Sequence, residues 1–253
     1  MMPGSSRMQH RDGEDGGHEG SDDNTLLQPE GLVLAGQLVV ADTTDATPLY
    51  QMNWNVTSIP QKGSSVIFER IERPTQQNQH IFYLAHPLGA QYETGTPTYY
   101  ITSTSPDMLG NISLESSKPR FQKPDFKALL SVNKSASDDP LFDESSEPLF
   151  HVKPKWMGGH YAWSDTEGRQ IAQEDRCGDK PRITVAKPME KRTRDALVAL
   201  WCLRLWYDTA ESRRARKDAL ERMTPPEAVM EGHQDNRMGK RMGALGSLAG
   251  AGA

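Results

Sequence analysis

Residues 196 to 207, AlaLeuValAlaLeuTrpCysLeuArgLeuTrpTyr, form the only long apolar run in an otherwise polar chain. The run is rich in Leu, Ala and Trp and lacks Pro and Gly, which predicts a helix. Most helices carry one apolar stripe. This one is apolar on nearly every side, so it must be enclosed. At about 1.5 Å per residue it spans roughly 18 Å, against the ~30 Å of a bilayer's hydrocarbon core. Arg204 interrupts it and lies four residues before Asp208, so the two can pair where the helix leaves its container. A protein core is therefore the expected container, and no transmembrane span is expected. Asp195 is placed in the first turn, and Arg213, Arg214, Arg216 and Lys217 follow the run, a distribution that suits the helix dipole. Thr224-Pro225-Pro226 ends any continuation.

Everything between about residue 31 and the helix reads as strand and turn. Leu32-Val33-Leu34 and Leu38-Val39-Val40 flank Gly36. Residues 49–56, 65–71, 80–84, 98–102 and 111–115 are further strand candidates. After them, residues 148–153, 160–163, 170–174 and 182–186 alternate with short Gly-containing turns, the clearest antiparallel signal in the chain. No helical period appears before residue 188.

With 253 residues, 36% of them hydrophobic, the chain has room for one sizeable domain plus tails. Residues 1–28 are Gly, Asp, Glu, Ser and His with almost no apolar content, and are expected to be a disordered acidic arm. This arm is either a solubilising tail or a partner-binding or phosphorylated segment through Ser21. Residues 29–223 are read as the domain. Residues 116–147, rich in Ser, Lys, Pro and Asp, are read as an inserted, partly mobile surface loop. Residues 224–253 are read as a disordered tail.

Two cysteines, Cys177 and Cys202, exclude a disulfide framework. The first residues have no apolar stretch, so no signal peptide is expected. Together these point to an intracellular protein, cytoplasmic or peripheral to a membrane. Asn-x-Ser/Thr triplets at Asn55, Asn111 and Asn133 are then unused. A formal charge of −5 gives no general case for nucleic acid.

The sequence nominates no catalytic residue, no cofactor and no metal site. His151 and His160 are nine apart, and no metal-binding spacing occurs. Cys177 lies in a turn beside Arg176, but no oriented base can be named for it. Two basic groups remain. Lys153 and Lys155 flank Pro154 at a strand end with Trp156 nearby, and Arg213, Arg214, Arg216 and Lys217 close the helix. They are the candidate anion-binding or lipid-binding residues. The alternative is a solvated face with ordinary dipole capping.

A run of strands closed by one all-round apolar helix resembles the tubby C-terminal-like superfamily. Those proteins include the tubby domain, the LURP-one-related proteins and the phospholipid scramblases, and this chain looks like uncharacterised fungal members. The resemblance rests on Pro148-Leu149-Phe150, Gly168, Ile171-Ala172 with Glu174, the strand Arg182 to Val185, and Asp195 to Trp201, and covers roughly residues 31–216. It implies a mainly β fold: a closed antiparallel barrel wrapped around a C-terminal hydrophobic helix. Physics agrees, because an open sheet cannot cover every face of such a helix. Leu197, Leu200, Trp201, Leu203 and Trp206 are then the structural core. The resemblance also implies a non-enzymatic barrel that binds an anionic membrane lipid, such as a phosphoinositide, or a protein partner. The alternative is an adaptor or scaffold with no lipid role.

Overall fold

The computed structural model describes residues 25–58, 64–72, 77–87, 97–105, 108–117, 123–155 and 160–212. Strands β1 (Leu26–Leu27), β2 (Glu30–Ala35), β3 (Leu38–Ala41), β4 (Pro48–Met52) and β5 (Ser64–Glu72) come first. Next are β6 (Gln77–His86), β7 (Tyr100–Ser103), β8 (Gly110–Ser117) and β9 (Asp125–Val132). Then follow β10 (Glu147–Pro154), β11 (Tyr161–Ser164), β12 (Gln170–Cys177), β13 (Lys180–Val185) and β14 (Met189–Glu190), and the helix α1 (Lys191–Ala210) closes the series.

Strands β2 to β13 form a closed barrel of twelve strands. Each strand runs antiparallel to its neighbours in the chain, and β13 returns to pair with β2, Ile183 opposite Leu32. Closure leaves no barrel strand with an unpaired edge. The pleat turns one row inward, as in β10, where Phe150 and Val152 are buried while His151 and Lys153 face out. In β6 both Ile81 and Phe82 are buried, because the register slips by one residue against β5 there.

Every residue of α1 from Arg194 to Tyr207 is buried, so the barrel wraps the helix on all sides. Leu197, Leu200, Trp201, Leu203 and Trp206 are each fully buried. Each such side chain contributes roughly 2 kcal/mol. The helix begins earlier than its apolar run, at Lys191, because β1 and β14 pair outside the barrel and lead directly into it. Asp195 therefore lies in the second turn, not the first. Thr224-Pro225-Pro226 does not set the helix end, since α1 stops at Ala210.

Two expectations about segment boundaries are corrected. Residues 116–147 are not an inserted loop. β8 runs on to Ser117, and β9 is a wall strand with Phe126, Ala128 and Leu130 turned inward. The turns at 133–146 pack against β7 and β8: Ala136 donates its N–H to Ser103 O (2.7 Å), and Phe142 meets Tyr100 edge-on. Asn111 holds them from below. Its amide donates to Ser135 O and Leu141 O and accepts from Ser103 N–H, and it is fully buried. That packing role, and not glycan attachment, accounts for asparagine here. The expected acidic arm also ends early, because Leu26–Leu27 is strand β1. Residues 1–24 and 224–253 lie outside the described residues.

Hairpin connections alternate between the two ends of the barrel. The β2–β3, β4–β5, β6–β7, β8–β9, β10–β11 and β12–β13 connections gather at one end. The C-terminal end of α1 leaves there, as the contacts of Trp206 with His86 and of Tyr207 with Tyr99 place it. We call this the exit end. The other connections, together with β1 and β14, surround the entry end, where α1 begins.

Candidate functional site

Charged side chains seal the helix at both ends. At the entry end Asp195 is fully buried and accepts hydrogen bonds from Tyr50 Oη (2.9 Å) and Arg70 Nη1. Arg70 also donates to Glu72 (2.7 Å) and to Gln79, and Lys191 Nζ donates to Glu72 (3.1 Å). Arg194 reaches outward to Glu30 and to Gln28 O (3.1 Å). Burial raises the Asp195 carboxyl to about 6, with Arg70 and Tyr50 pulling the other way.

At the exit end Arg204 donates from Nε to Glu174 Oε1 (2.6 Å), from Nη2 to Glu174 Oε2, and from Nη1 to Asp208 Oδ2 (2.7 Å). Its guanidinium lies 4.4 Å from the centre of the Tyr161 ring. Trp163 Nε1 donates to the same Glu174 oxygen (2.8 Å). The expected Arg204–Asp208 pair is therefore present, but the deeper partner, Glu174, comes from β12. Burial pushes the Glu174 carboxyl up and the Cys202 thiol up.

Two clefts open at the exit end. One, of about 600 Å³, lies between α1 and β8 and is lined by Thr98, Tyr99, Leu114, Glu115, Tyr207 and Glu211. A smaller one, of about 110 Å³, lies above Arg204 and Asp208 with Lys123, His160, Tyr161 and Arg176 around it. A cleft of about 190 Å³ opens at the entry end over Tyr50, Arg70, Lys191 and Arg194.

Of the expected basic residues, the structure describes Lys153 and Lys155. Lys153 is exposed on the outer face of β10 near the exit end. Lys155 follows that strand, donates its N–H to His160 O (2.7 Å) and its Nζ to Gln173. Arg213, Arg214, Arg216, Lys217 and Trp156 lie outside the described residues. Ser212, just beyond the helix end, is at this exit end, and Arg213 follows it in sequence.

Sequence reasoning missed Lys123, Arg176 and Lys180, all exposed at this end. Each lies within three residues of an exit-end strand terminus, a signal that becomes readable only once the strand directions are known. Nearby acids are partly engaged: Asp175 pairs with Arg182 (2.6 Å) and Asp208 with Arg204. Asp179 is exposed at the β12–β13 turn. His151 and Cys177 lie apart from any metal-type cluster: no group of three or more His, Cys, Asp or Glu positioned for an ion occurs among the described residues. Among those residues, no helix is long and apolar enough to cross a membrane.

Comparison with known proteins finds no family model that matches the chain, and no match among curated proteins or solved structures. The class is therefore defined by the architecture alone, a twelve-stranded antiparallel barrel closed around a buried C-terminal helix.

Proposed function

We propose that this barrel is a non-enzymatic module of the tubby C-terminal-like kind, and that its exit end binds anionic membrane lipid, a phosphoinositide being one such headgroup. One observation carries the reading. The strand ends flanking three successive connections, β8–β9, β10–β11 and β12–β13, place Lys123, Lys153, Lys155, Arg176 and Lys180 at the exit end. The helix leaves the barrel at that same end, and Arg213, Arg214, Arg216 and Lys217 follow it in sequence. Basic residues near an anionic bilayer each contribute roughly 1 kcal/mol.

The non-enzymatic part rests on the fate of the reactive groups. Of the two cysteines, Cys202 is sealed in the core with its ionisation suppressed by burial, and Cys177 is exposed at the end of β12 with no oriented base named for it. Asp195 and Glu174, two buried carboxyls raised by burial, are both paired with arginine.

Vesicle co-sedimentation tests the proposal. Binding to anionic vesicles should weaken as salt rises, since exposed charges are screened over about 8 Å at physiological ionic strength. It should also fall on charge reversal at Lys153 and Lys155, and again at Arg213 and Arg214. Equal binding to neutral and anionic vesicles, or none to either, favours the adaptor reading.

A further inference from the structure

Among the described residues three large hydrophobics are exposed: Leu26, Trp54 and Val132. Leu26 and Val132 lie toward the entry end. Trp54 alone sits at the exit end, in the β4–β5 connection, and is 57% exposed. Trp163, Trp201 and Trp206 are at 0%.

The backbone around Trp54 is firmly held. Asn53 Oδ1 accepts the N–H of Ile67 on β5 (2.9 Å), and Asn53 O accepts from Gln37 Nε2 (3.4 Å). Asn55 Oδ1 accepts both the N–H (3.0 Å) and the hydroxyl (2.7 Å) of Thr57. Val56, two residues on, is fully buried in the barrel core. The indole is thus presented outward from a pedestal fixed on both sides. A single exposed apolar side chain is ordinary on a protein surface; what singles out Trp54 is that it shares the exit end with the cations.

We propose that Trp54 is an interfacial anchor that enters the headgroup region of an anionic bilayer when the exit end docks. This rests on the lipid reading above and specifies the source of the anion, a membrane surface and not a free phosphate. The cations flank the β8–β9, β10–β11 and β12–β13 connections, and the β2–β3 turn joins these to the β4–β5 connection that carries Trp54. Cations attract the anionic surface, and indole rings favour the polar–apolar boundary of a bilayer. A soluble phosphate would engage the cations and leave the indole unused.

The test uses the full chain with vesicles of phosphatidylcholine, alone or mixed with phosphatidylserine, whose acyl chains carry bromine as a contact quencher. Wild type and Trp156→Phe should co-sediment with the mixed vesicles and lose tryptophan fluorescence. Trp54→Ala should bind about tenfold more weakly, an effect of losing one buried apolar side chain. It should also lose the quenching while melting as wild type does, since the side chain is exposed. If Trp54→Ala binds mixed vesicles as tightly as wild type and is quenched equally, the anchor is overturned, Trp54 is assigned to a protein contact, and the headgroup reading stands. If wild type does not sediment with mixed vesicles, both readings fall.

Discussion

Replacing Arg204 by leucine should strand Glu174. In the wild type Glu174 is only 5% exposed and Arg204 2%, so neither has water to fall back on. The substitution removes both Arg204 hydrogen bonds to Glu174 and the one to Asp208. Asp208 is exposed and loses little. Glu174 is left with one donor, Trp163 Nε1. An uncompensated buried charge of this kind costs about 3–5 kcal/mol, against the ~5–15 kcal/mol typical of a whole domain.

Removing both partners should cost less than removing one. In the Arg204→Leu, Glu174→Leu double variant the remaining penalty is the unpaired Trp163 N–H, about 1–3 kcal/mol, plus imperfect packing. The double-mutant cycle should therefore give a coupling of at least ~2 kcal/mol. The single variant should also respond to pH. Burial already raises the Glu174 carboxyl, and losing its cation raises it further. A raised folded-state carboxyl pKa gives stability that is full below the unfolded value and is lost as pH rises. Arg204→Leu should thus recover stability on acidification toward the ordinary glutamate range. Urea melts followed by fluorescence of the buried tryptophans read Arg204→Leu, Glu174→Leu and the double variant. A loss under about 1 kcal/mol for the single variant, or a double variant less stable than the single one, would refute the reasoning.

Asp195 gives a second pH test. Its carboxyl is raised to about 6 from an ordinary 3.8, so its contribution is whole below about pH 4 and is lost as pH rises through 6, by about 3 kcal/mol. Asp195→Asn also weakens the pairing with Arg70, a pH-independent loss, but relative to wild type its stability in urea melts should rise by about that amount from roughly pH 4 to pH 7, and a pH-independent difference would count against the burial argument. Trp201 separates volume from polarity. Its Nε1 is buried without a hydrogen-bond partner, so Trp201→Phe removes an unsatisfied donor and should melt within about 1 kcal/mol of wild type, whereas Trp201→Ala should lose about 3–5 kcal/mol through the cavity. Equal losses for the two would show that the indole nitrogen carries no penalty.

The helix and its enclosure were legible because an all-round apolar run has few structural solutions. Most strands were legible from alternation and turns. β9 was not, although Phe126-Lys127-Ala128 alternates, because the Ser, Lys, Pro and Asp residues around it dominate the local composition. The charged seals were half legible. Arg204 and Asp208 are one helical turn apart, so their spacing announces them. Glu174 and Arg70 face α1 from strands 30 and 125 residues away in the chain, and pairing at that range depends on barrel register. The exit-end cations were missed for the same reason: Lys123, Arg176 and Lys180 become neighbours only when alternate connections are gathered at one end.

The two seals also answer a question that apolar packing leaves open. A helix built of Leu, Ala, Val and Trp buries nearly as much apolar surface after sliding one turn, about 5.4 Å, along the barrel axis. Dispersion and the hydrophobic effect are not directional enough to choose among such registers. Asp195 and Arg204 are nine residues apart, roughly 13.5 Å along α1, and each meets a fixed partner on the wall, Arg70 on β5 and Glu174 on β12. Sliding by one turn unpairs both buried charges at once, at several kcal/mol each. The pairs therefore fix the axial position of a helix whose apolar surface alone would leave it poorly defined. That position in turn determines where Ser212 emerges at the exit end, so the buried charges set the geometry of the proposed lipid-facing end without touching a ligand.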